Sequence, residues 1–248
     1  GQFFTPKPVS DFMVSLADAD SGNVLDPACG FGIFVDSFIE SEKDASSITS
    51  IDKDVLMSFA STVKMQLKHP ESVVNTETSD YLAFSGNVSG FDTIIGNPPY
   101  NKFQSHKYNI DEILSDYTKY ELGNLSNLYS LFFLQATKQI NEGGKLIFIT
   151  PTEYLHTGYG EGLKQLFIDE YNIETFIKLD WDDGVFNALT TACITVLQKD
   201  SSTTESPVEF CVSESESELL DEDTSTMKSR TVPQDKLDAT DKWTQYFS

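Results

Sequence analysis

Short apolar runs alternate with amphipathic stretches along the first 200 residues. Runs of strand length occupy residues 24–25, 48–51, 73–75, 93–95, 145–149, 175–179 and 192–197. Between most of them, apolar positions recur every three to four residues, which predicts helices at 9–19, 32–40, 54–67, 128–140 and 162–170. Such alternation is typical of a mainly parallel sheet with helices on both faces. The sequence therefore predicts an α/β fold.

The texture differs at the two ends of this pattern. Residues 1–8 contain two prolines and predict an extended segment. After Lys199, residues 201–206 and 213–226 are rich in Ser, Thr, Glu and Asp, which is typical of a linker or an exposed loop, whereas residues 207–212 have the pattern of one more strand. We expect a main domain at 1–200, followed by an acidic, Ser-rich linker or the start of a truncated further region at 201–248.

Composition narrows the class of protein. The 248 residues are 39% hydrophobic and 12% aromatic, which suffices for a sizeable core and excludes wholesale disorder. No apolar run approaches the ~18 residues that would span a bilayer, and no signal peptide is evident. Cys29, Cys193 and Cys211 are too few and too scattered for a disulfide framework or a zinc site. We expect a cytoplasmic protein without a metal site or a membrane partner.

A glycine-containing loop follows the first predicted strand and opens a helix. Residues 26–32 read Asp-Pro-Ala-Cys-Gly-Phe-Gly, and Gly30 and Gly32 allow the backbone to approach a ligand beyond the carboxyl end of the strand. The dinucleotide pattern GxGxxG fails because Val35 stands at its third glycine position. The leading carboxylate, Asp26, suits a cationic amine better than a pyrophosphate. The alternative is a tight strand–helix turn with no ligand.

Carboxylates also follow the second and third predicted strands. Asp52 lies 20 positions after Gly32, where a carboxylate can accept both hydroxyls of a ribose. Asp80 could accept a hydrogen bond from an adenine amino group, and Tyr81 could pack on the ring. Taken alone, Asp52 is better explained as a solvated strand end beside a helix N-cap at Asp54, and only its combination with the glycine loop favours the ribose. Together the three strand ends describe a pocket for S-adenosylmethionine, an adenosine with a cationic amino-acid tail.

The fourth predicted strand runs into Asn-Pro-Pro-Tyr at residues 97–100. Neither proline can donate to a strand ladder, so the turn is stiff and presents the Asn97 side chain and the Pro98 carbonyl as two acceptors. Two acceptors suit an NH₂ group, and hydrogen bonds to an aromatic amine free its lone pair for attack on a methyl group. Tyr100 offers a ring face for base stacking, worth roughly 1–3 kcal/mol. The alternative is a rigid turn without chemistry.

These motifs, in this order, resemble the gamma class of amino-group DNA methyltransferases, the N6-adenine enzymes of restriction–modification systems. The resemblance covers residues 1–200 and rests on Gln-Phe-Phe-Thr-Pro at 2–6, the loop at 26–32 and Asn-Pro-Pro-Tyr at 97–100. Residues 124–133 and 143–154 are similar to two further motifs of the class. The family is therefore carried by motif order as well as by single motifs.

The resemblance implies a Rossmann-like, S-adenosylmethionine-dependent methyltransferase fold with seven strands, the last one antiparallel. It implies cofactor contacts at Phe3, Thr5, Asp26, Pro27, Ala28, Gly30, Gly32, Asp52, Asp80, Tyr81 and Phe132. Thr5, with Phe3 nearby, would hold the methionine end, and Phe132 would lie against the adenine. The target adenine would be flipped from the duplex, stacked on Tyr100, and its amine activated by Asn97 and Pro98.

The sequence departs from the family pattern in two places. Many relatives carry a second aromatic residue late in the last strand, where this chain has Leu197. Either Leu197 contacts the target base or Phe186 supplies the ring. The 48 residues after position 200 are also too few for a C-terminal target-recognition domain. We therefore expect a recognition domain or a specificity subunit beyond these residues.

The charge conflicts with a DNA substrate. The chain has 39 acidic and 17 basic residues, net −22, with a single arginine, Arg230. Neutralisation of phosphates by Lys and Arg normally supplies most non-specific DNA affinity. Either a recognition domain elsewhere carries the basic surface, or the protein comes from a salt-rich cytoplasm in which repulsion is screened. The aromatic-containing segment 101–127 predicts either a loop over the target base or a partly helical surface insertion.

The predicted function is methyl transfer from S-adenosylmethionine to N6 of a flipped adenine in DNA, within a restriction–modification system. Two alternatives remain at this level. An RNA-adenine or protein-glutamine methyltransferase would share the Asn-Pro-Pro-Tyr chemistry. A non-catalytic modification subunit would keep the fold without the reaction.

Overall fold

The computed structural model describes residues 4–83, 90–102, 110–122, 127–181, 191–200, 206–220 and 224–247. Its strands are β1 (Asp20–Asp26), β2 (Asp44–Asp52), β3 (Val74–Thr78), β4 (Phe91–Gly96), β5 (Ile140–Pro151), β6 (Tyr171–Leu179), β7 (Ala192–Lys199), β8 (Pro207–Ser213) and β9 (Lys228–Pro233). Its helices are α1 (Lys7–Ser15), α2 (Ile33–Glu40), α3 (Val55–Lys68), α4 (Ile110–Leu114), α5 (Leu128–Gln139), α6 (Glu153–His156) and α7 (Glu161–Glu170). Short 3₁₀ turns connect several of them.

The described strands form one sheet in the order β3-β2-β1-β4-β5-β7-β6-β8-β9. Strands β3, β2, β1, β4 and β5 run parallel to one another. β7 runs antiparallel to both β5 and β6, which confirms the predicted antiparallel strand. The strand order reverses between β1 and β4, and ligands bind at such switch points in open α/β sheets.

Successive strand residues supply two separate cores, one on each face of the sheet. Leu25, Ile94 and Phe148 pack with α5 and α7 on one face. Their neighbours in sequence, such as Ile95 and Ile149, pack with α1 and α2 on the other. This follows from the two-residue period of a strand, which sends adjacent side chains to opposite faces. The prediction of a sheet covered by helices on both faces is confirmed.

The predicted number of strands, seven, is wrong, because the described sheet has nine. β8, which the sequence pattern did indicate, pairs in parallel with β6, and β9 pairs antiparallel with β8. β9 leaves no hydrophobic pattern to find, since only Val232 among its six residues is buried. A strand at the edge of a sheet needs no alternating apolar side chains when its ladder bonds hold it.

The residues after β9 are fixed to the sheet by buried side chains. Trp243 is fully buried, donates its indole N–H to the Asp238 carbonyl at 2.8 Å and lies edge-on to Phe176. Phe210 of β8 contacts the ring of Tyr246 at 5.0 Å between centroids. The described parts of 206–247 thus extend the sheet, and the domain boundary near residue 200 stays a prediction.

Two local predictions are refined by the structure. α1 begins at Lys7, inside the segment predicted as extended, because a proline in the first turn of a helix costs no hydrogen bond. In the segment 101–127, the described part contains α4 and a 3₁₀ turn, with Tyr117 and Tyr120 buried against the core. Phe103 and Tyr108 of that segment lie outside the described residues. None of the helices in the described ranges is long and apolar enough to cross a bilayer.

Candidate active site

A cleft of about 330 Å³ opens beyond the carboxyl ends of β1, β2, β3 and β4. This is the size and the place expected of a small-molecule site in an open α/β sheet. Most of the predicted site residues line it. They are Thr5, Pro27, Ala28, Gly30, Asp52, Asp80, Tyr81, Asn97, Pro98, Tyr100 and Phe132. The motifs that lie far apart along the chain therefore meet in one cavity.

The loop between β1 and α2 is fixed by backbone contacts. Gly30 and Gly32 adopt φ of +51° and +71°, a left-handed conformation that favours glycine. The Cys29 N–H donates to the Ile51 carbonyl of β2 at 2.9 Å. A side chain on Gly32 would clash with Ser61 Oγ of α3, and Gly32 does not line the cleft. The missing side chain of Gly32 thus makes room for α3, and the predicted approach of Gly32 to a ligand stays a prediction.

Asp52 connects the glycine loop to the start of α3. One carboxylate oxygen accepts the Gly30 N–H and the other accepts the Asp54 N–H, each at 2.9 Å. A carboxylate has about four acceptor sites, so both oxygens retain capacity for hydroxyl donors. Asp54 in turn caps α3 by accepting from the Leu56 N–H at 2.8 Å. Asp52 therefore shapes the cleft wall that it also lines.

An aromatic pair forms the part of the cleft beyond β3. The rings of Tyr81 and Phe132 lie 4.8 Å apart between centroids, and the Tyr81 hydroxyl donates to Gln139 Oε1 at 2.7 Å. Asp80 accepts the Leu82 N–H at 3.1 Å and stays partly exposed at the cleft. A partly exposed carboxylate beside two packed rings is a suitable environment for a purine with an exocyclic amine.

Asp26 lies behind the cleft wall instead of lining it. It is 1% exposed, and its Oδ1 accepts the Ala28 N–H at 3.2 Å. Its Oδ2 is buried without a hydrogen-bond partner. Burial, with a smaller contribution from the charge of Asp52, raises the pKa of Asp26 to about 8. An orphaned acidic oxygen next to a cleft is a feature that a cationic group would stabilise.

Asn97 follows β4 directly and is oriented from the N-terminal segment. Its Nδ2 donates to Thr5 Oγ1 at 3.0 Å. Tyr100 donates its hydroxyl to the Ile149 carbonyl of β5 at 3.3 Å. Burial raises the pKa of Tyr100 well above its ordinary value, and a hydrogen bond with Asn97 partly opposes the rise. Both residues are held at the cleft by the ends of neighbouring parallel strands.

The predicted contact of Leu197 with a target base is wrong. Leu197 is fully buried in the core and pairs with Leu146 and Ile173. Because β7 is antiparallel, its first residue, Ala192, lies at the cleft edge, opposite Pro151, and its late residues lie at the far edge. Phe3 and Phe186, the other predicted contacts, lie outside the described residues.

Several residues that line the cleft were not predicted. Phe4 and Phe31 are exposed, with ring centroids 5.2 Å apart, at the side of the cleft formed by the glycine loop. Lys53 and Lys64 line it beside α3. Leu128 lies one helical turn before Phe132 on α5, so spacing could have indicated it. The lysines carried no such signal, because only the fold brings α3 to the cleft.

The model of the Eco57I restriction-modification methylase family matches residues 33–186, more than half of the chain. The chain belongs to this family. Type II methyltransferase M.AccI of Acinetobacter calcoaceticus is 32% identical over 209 residues, which cover 82% of this chain and 37% of the relative. M.HincII of Haemophilus influenzae is 26% identical over 197 residues, 78% of this chain and 36% of the relative. The chain thus spans about a third of the length of these curated relatives.

Solved structures share the fold of this family member. A type I restriction-modification methyltransferase subunit from Streptococcus thermophilus superposes with a TM-score of 0.73 at 17% identity, covering all of this chain and 60% of that one. A class I S-adenosylmethionine-dependent methyltransferase from Listeria monocytogenes gives 0.68 at 21% identity, covering 86% and 66%. The chain therefore has the Rossmann-like fold of S-adenosylmethionine-dependent methyltransferases, as predicted.

Proposed function

We propose that this chain transfers a methyl group from S-adenosylmethionine to N6 of adenine in DNA. The observation that carries the proposal is the placement of Asn97 and Pro98 in the same cleft as the glycine loop, Asp52 and the Tyr81–Phe132 pair. Membership of a restriction-modification methylase family supports methyl transfer. The choice of adenine rests on the two acceptors and on the resemblance to the gamma class.

The cleft fits this cofactor. Asp52 retains acceptor capacity for ribose hydroxyls, and Tyr81 and Phe132 offer rings for an adenine. The orphaned Oδ2 of Asp26 lies on the methionine side, next to the Ala28 and Gly30 backbone, and would supply negative charge there once a bound cation favours the ionised carboxylate. When bound, S-adenosylmethionine supplies an electrophilic methyl group on its sulfonium sulfur.

The chain's own residues act on the amine of the target base. Asn97 Oδ1 and the Pro98 carbonyl accept its two N–H groups, which draws the nitrogen towards a tetrahedral shape and makes its lone pair available. Thr5 orients the Asn97 amide, because its hydroxyl oxygen accepts a hydrogen bond from the Asn97 NH₂ group. The Tyr100 ring stacks on the base from a position fixed by its bond to β5.

The partner is DNA, together with a recognition domain or specificity subunit that brings basic surface, in a cytoplasmic setting. A chain with net −22 charge gains no duplex affinity from its overall charge. About two thirds of the length of each of these relatives lies outside the matched region. One of the fold neighbours, DrdV, was solved as a DNA complex, with 94% of this chain covered. These observations favour a catalytic module whose affinity for DNA comes from a recognition domain or a specificity subunit.

Incubation with tritiated cofactor and separate DNA, RNA and protein acceptors tests the proposal. The acceptors should be present at high concentration, because specific recognition is then not required. We expect label in DNA, recovered after digestion as N6-methyl-2′-deoxyadenosine. Label found only in RNA or only in protein would show that the substrate is that class of molecule and not DNA. Label on cytosine would overturn the assignment of adenine as the target base. Binding heat from the cofactor without label in any acceptor would indicate a non-catalytic subunit.

A further inference from the structure

Helix α3 has its apolar side turned outwards. Its buried residues are Ser58, Ser61 and Met65, two of which are small and polar. Leu56 and Leu67 are 75% and 79% exposed. A surface helix ordinarily directs its apolar stripe to the core, and a contiguous exposed stripe marks an interaction site. The buried side of α3 is thus adapted to the contact with Gly32, and its outer, apolar side has the character of an interaction surface.

The exposed stripe forms a groove with the geometry of a helix-packing surface. Its walls are two rows of residues spaced by four: Phe59, Val63 and Leu67 on one side, and Ala60, Lys64 and Lys68 on the other. Such i±4 rows are the ridges between which a second helix inserts a ridge of its own. From Phe59 to Leu67 the groove runs about 12 Å along the axis at 1.5 Å per residue. The occupant it fits is therefore an α-helix of at least two to three turns.

The charge distribution around α3 indicates which kind of helix the groove accepts. The 14 residues of α3 contain no Asp or Glu, although the chain as a whole carries net −22. Lys64 and Lys68 border the groove, and each has an ammonium 2.9 Å from Asp36, a carboxylate that is 4% exposed. Lys68 also pairs with Glu40, so the two lysines offset these carboxylates and leave the outer side of α3 without excess negative charge. An acidic helix is repelled by most of this molecule but not by α3, whereas a basic helix is attracted to the rest of the surface.

We propose that the groove on α3 docks an amphipathic α-helix of a partner polypeptide, with its apolar stripe flanked by carboxylates. A second copy of this chain suits the site less well, because two molecules of net −22 charge repel and their α3 lysines would face each other. Lys64 lines both this groove and the cofactor cleft. The docked helix therefore lies beside the cleft mouth, without needing the chemistry proposed for it.

The test uses a fluorescently labelled 18-residue peptide with a leucine stripe and Glu flanks. Two matched peptides serve as controls: one with the same stripe and Lys flanks, and one with the same composition as the Glu peptide but no stripe. Each is titrated with the 248-residue chain, with the double variant Phe59→Ser/Leu67→Ser, and with Leu220→Ser. Leu220 is a lone exposed leucine on another surface, at 65% exposure. All three proteins should unfold at the same temperature, since the substituted side chains are exposed.

We expect the Glu-flanked peptide to bind the chain and Leu220→Ser alike, and the double variant at least tenfold more weakly. The stripeless peptide should bind at least tenfold more weakly than the Glu peptide. The Lys-flanked peptide is attracted to the rest of the acidic surface, so its binding should be the same for the chain and for the double variant. Equal binding of the Glu and stripeless peptides, or undiminished binding to the double variant, would overturn the proposal. So would self-association of the chain, or binding of duplex DNA, that is lost in the double variant, because α3 would then serve a second copy or nucleic acid.

Discussion

Thr5 and Asn97, 92 positions apart, are joined by a hydrogen bond of 3.0 Å from the amide nitrogen of Asn97 to the threonine hydroxyl. The resemblance to the gamma class implies that Thr5 holds the cofactor. The structure adds a second role, because the bond fixes which end of the Asn97 amide is the nitrogen. An amide held in this way keeps its oxygen in a defined direction, and the proposed chemistry requires that oxygen.

Replacing Thr5 by Val removes this bond while keeping the shape of the side chain. A typical hydrogen bond contributes about 0.5–1.5 kcal/mol, so we expect kcat to fall roughly three- to tenfold. The dissociation constant of the cofactor, measured by calorimetry, should rise as well, because Thr5 also lines the cleft, and Thr5→Ser should restore both kcat and the affinity. Weaker cofactor binding with an unchanged kcat would instead make Thr5 a cofactor contact that does not position Asn97.

Asn97→Ala should abolish methylation and leave cofactor binding intact. The variant loses an acceptor that acts where charge develops in the transition state, and such a loss costs about 10²–10³ in rate. Single-turnover transfer of tritium to DNA gives the rate, and calorimetry gives the affinity. Near wild-type transfer by this variant would show that the amine is activated elsewhere.

Asp52→Ala should weaken cofactor binding, with Asp54→Ala as the matched control two residues away. Asp52 accepts from the Gly30 and Asp54 N–H groups and faces the cleft, so its loss affects both the ligand and the loop. We expect a rise in Kd of at least tenfold, since hydrogen bonds to charged groups are worth about 1.5–3 kcal/mol. Asp54 only caps α3, so its variant should lose about 1 kcal/mol of stability and keep its affinity. An unchanged Kd in Asp52→Ala would remove Asp52 from the site.

Asp26 should make cofactor binding release a proton. Its pKa of about 8 keeps the free carboxyl protonated at pH 7, and a bound cation favours the ionised form. Asp52 of β2 opposes ionisation, and the Ala28 N–H favours it. Affinity should therefore rise as pH approaches 8. Calorimetry at pH 7 in phosphate and in Tris, whose ionisation enthalpies differ, counts the protons. Asp26→Asn should release none, and equal heats for the wild type in both buffers would contradict the assignment.

The raised pKa of Asp26 also makes the free energy of unfolding of the ligand-free protein depend on pH. A raised acid pKa means that the folded state binds the proton more tightly than the unfolded state does. The stabilisation is fully present below the unfolded pKa of about 4 and is lost as pH rises through the folded value of about 8. Urea unfolding at several pH values should show this slope in the wild type, and Asp26→Asn should lack it.

Gln234 offers a test of how firmly the last part of the chain is attached. It is 1% exposed, accepts the Ile173 N–H at 2.8 Å and donates to the Tyr171 carbonyl at 2.7 Å. Gln234→Ala leaves these buried groups unpaired and should cost about 3 kcal/mol in urea unfolding. Gln165→Ala, at an exposed position on α7, should cost less than about 0.5 kcal/mol. Similar small losses in both variants would favour the predicted linker.

The sequence predicted the parts of this molecule that depend on local pattern. β4 and the turn at 97–100 are an apolar run ended by two prolines, and both features are visible without a structure. The meeting of strand ends in one cleft also follows from parallel topology, because all carboxyl ends lie at one edge. The fold class and most cleft residues were therefore accessible from sequence.

The predictions that failed depend on direction and on neighbours. Leu197 was placed by its position in the chain, but β7 is antiparallel and carries it away from the cleft. The prediction for Gly32 missed a neighbour, because Ser61 of α3 occupies the space that a side chain at Gly32 would need. β9 has no hydrophobic period, since its attachment comes from ladder bonds to β8. None of these relationships is encoded within a single segment.

The contact between Gly32 and Ser61 leaves no room for even one methyl group. An inward movement of α3 would therefore press on residues 26–32 and on the start of α2 at Ile33. A partner helix bound to the outer side of α3 would then change the affinity for the methyl donor without entering the cleft.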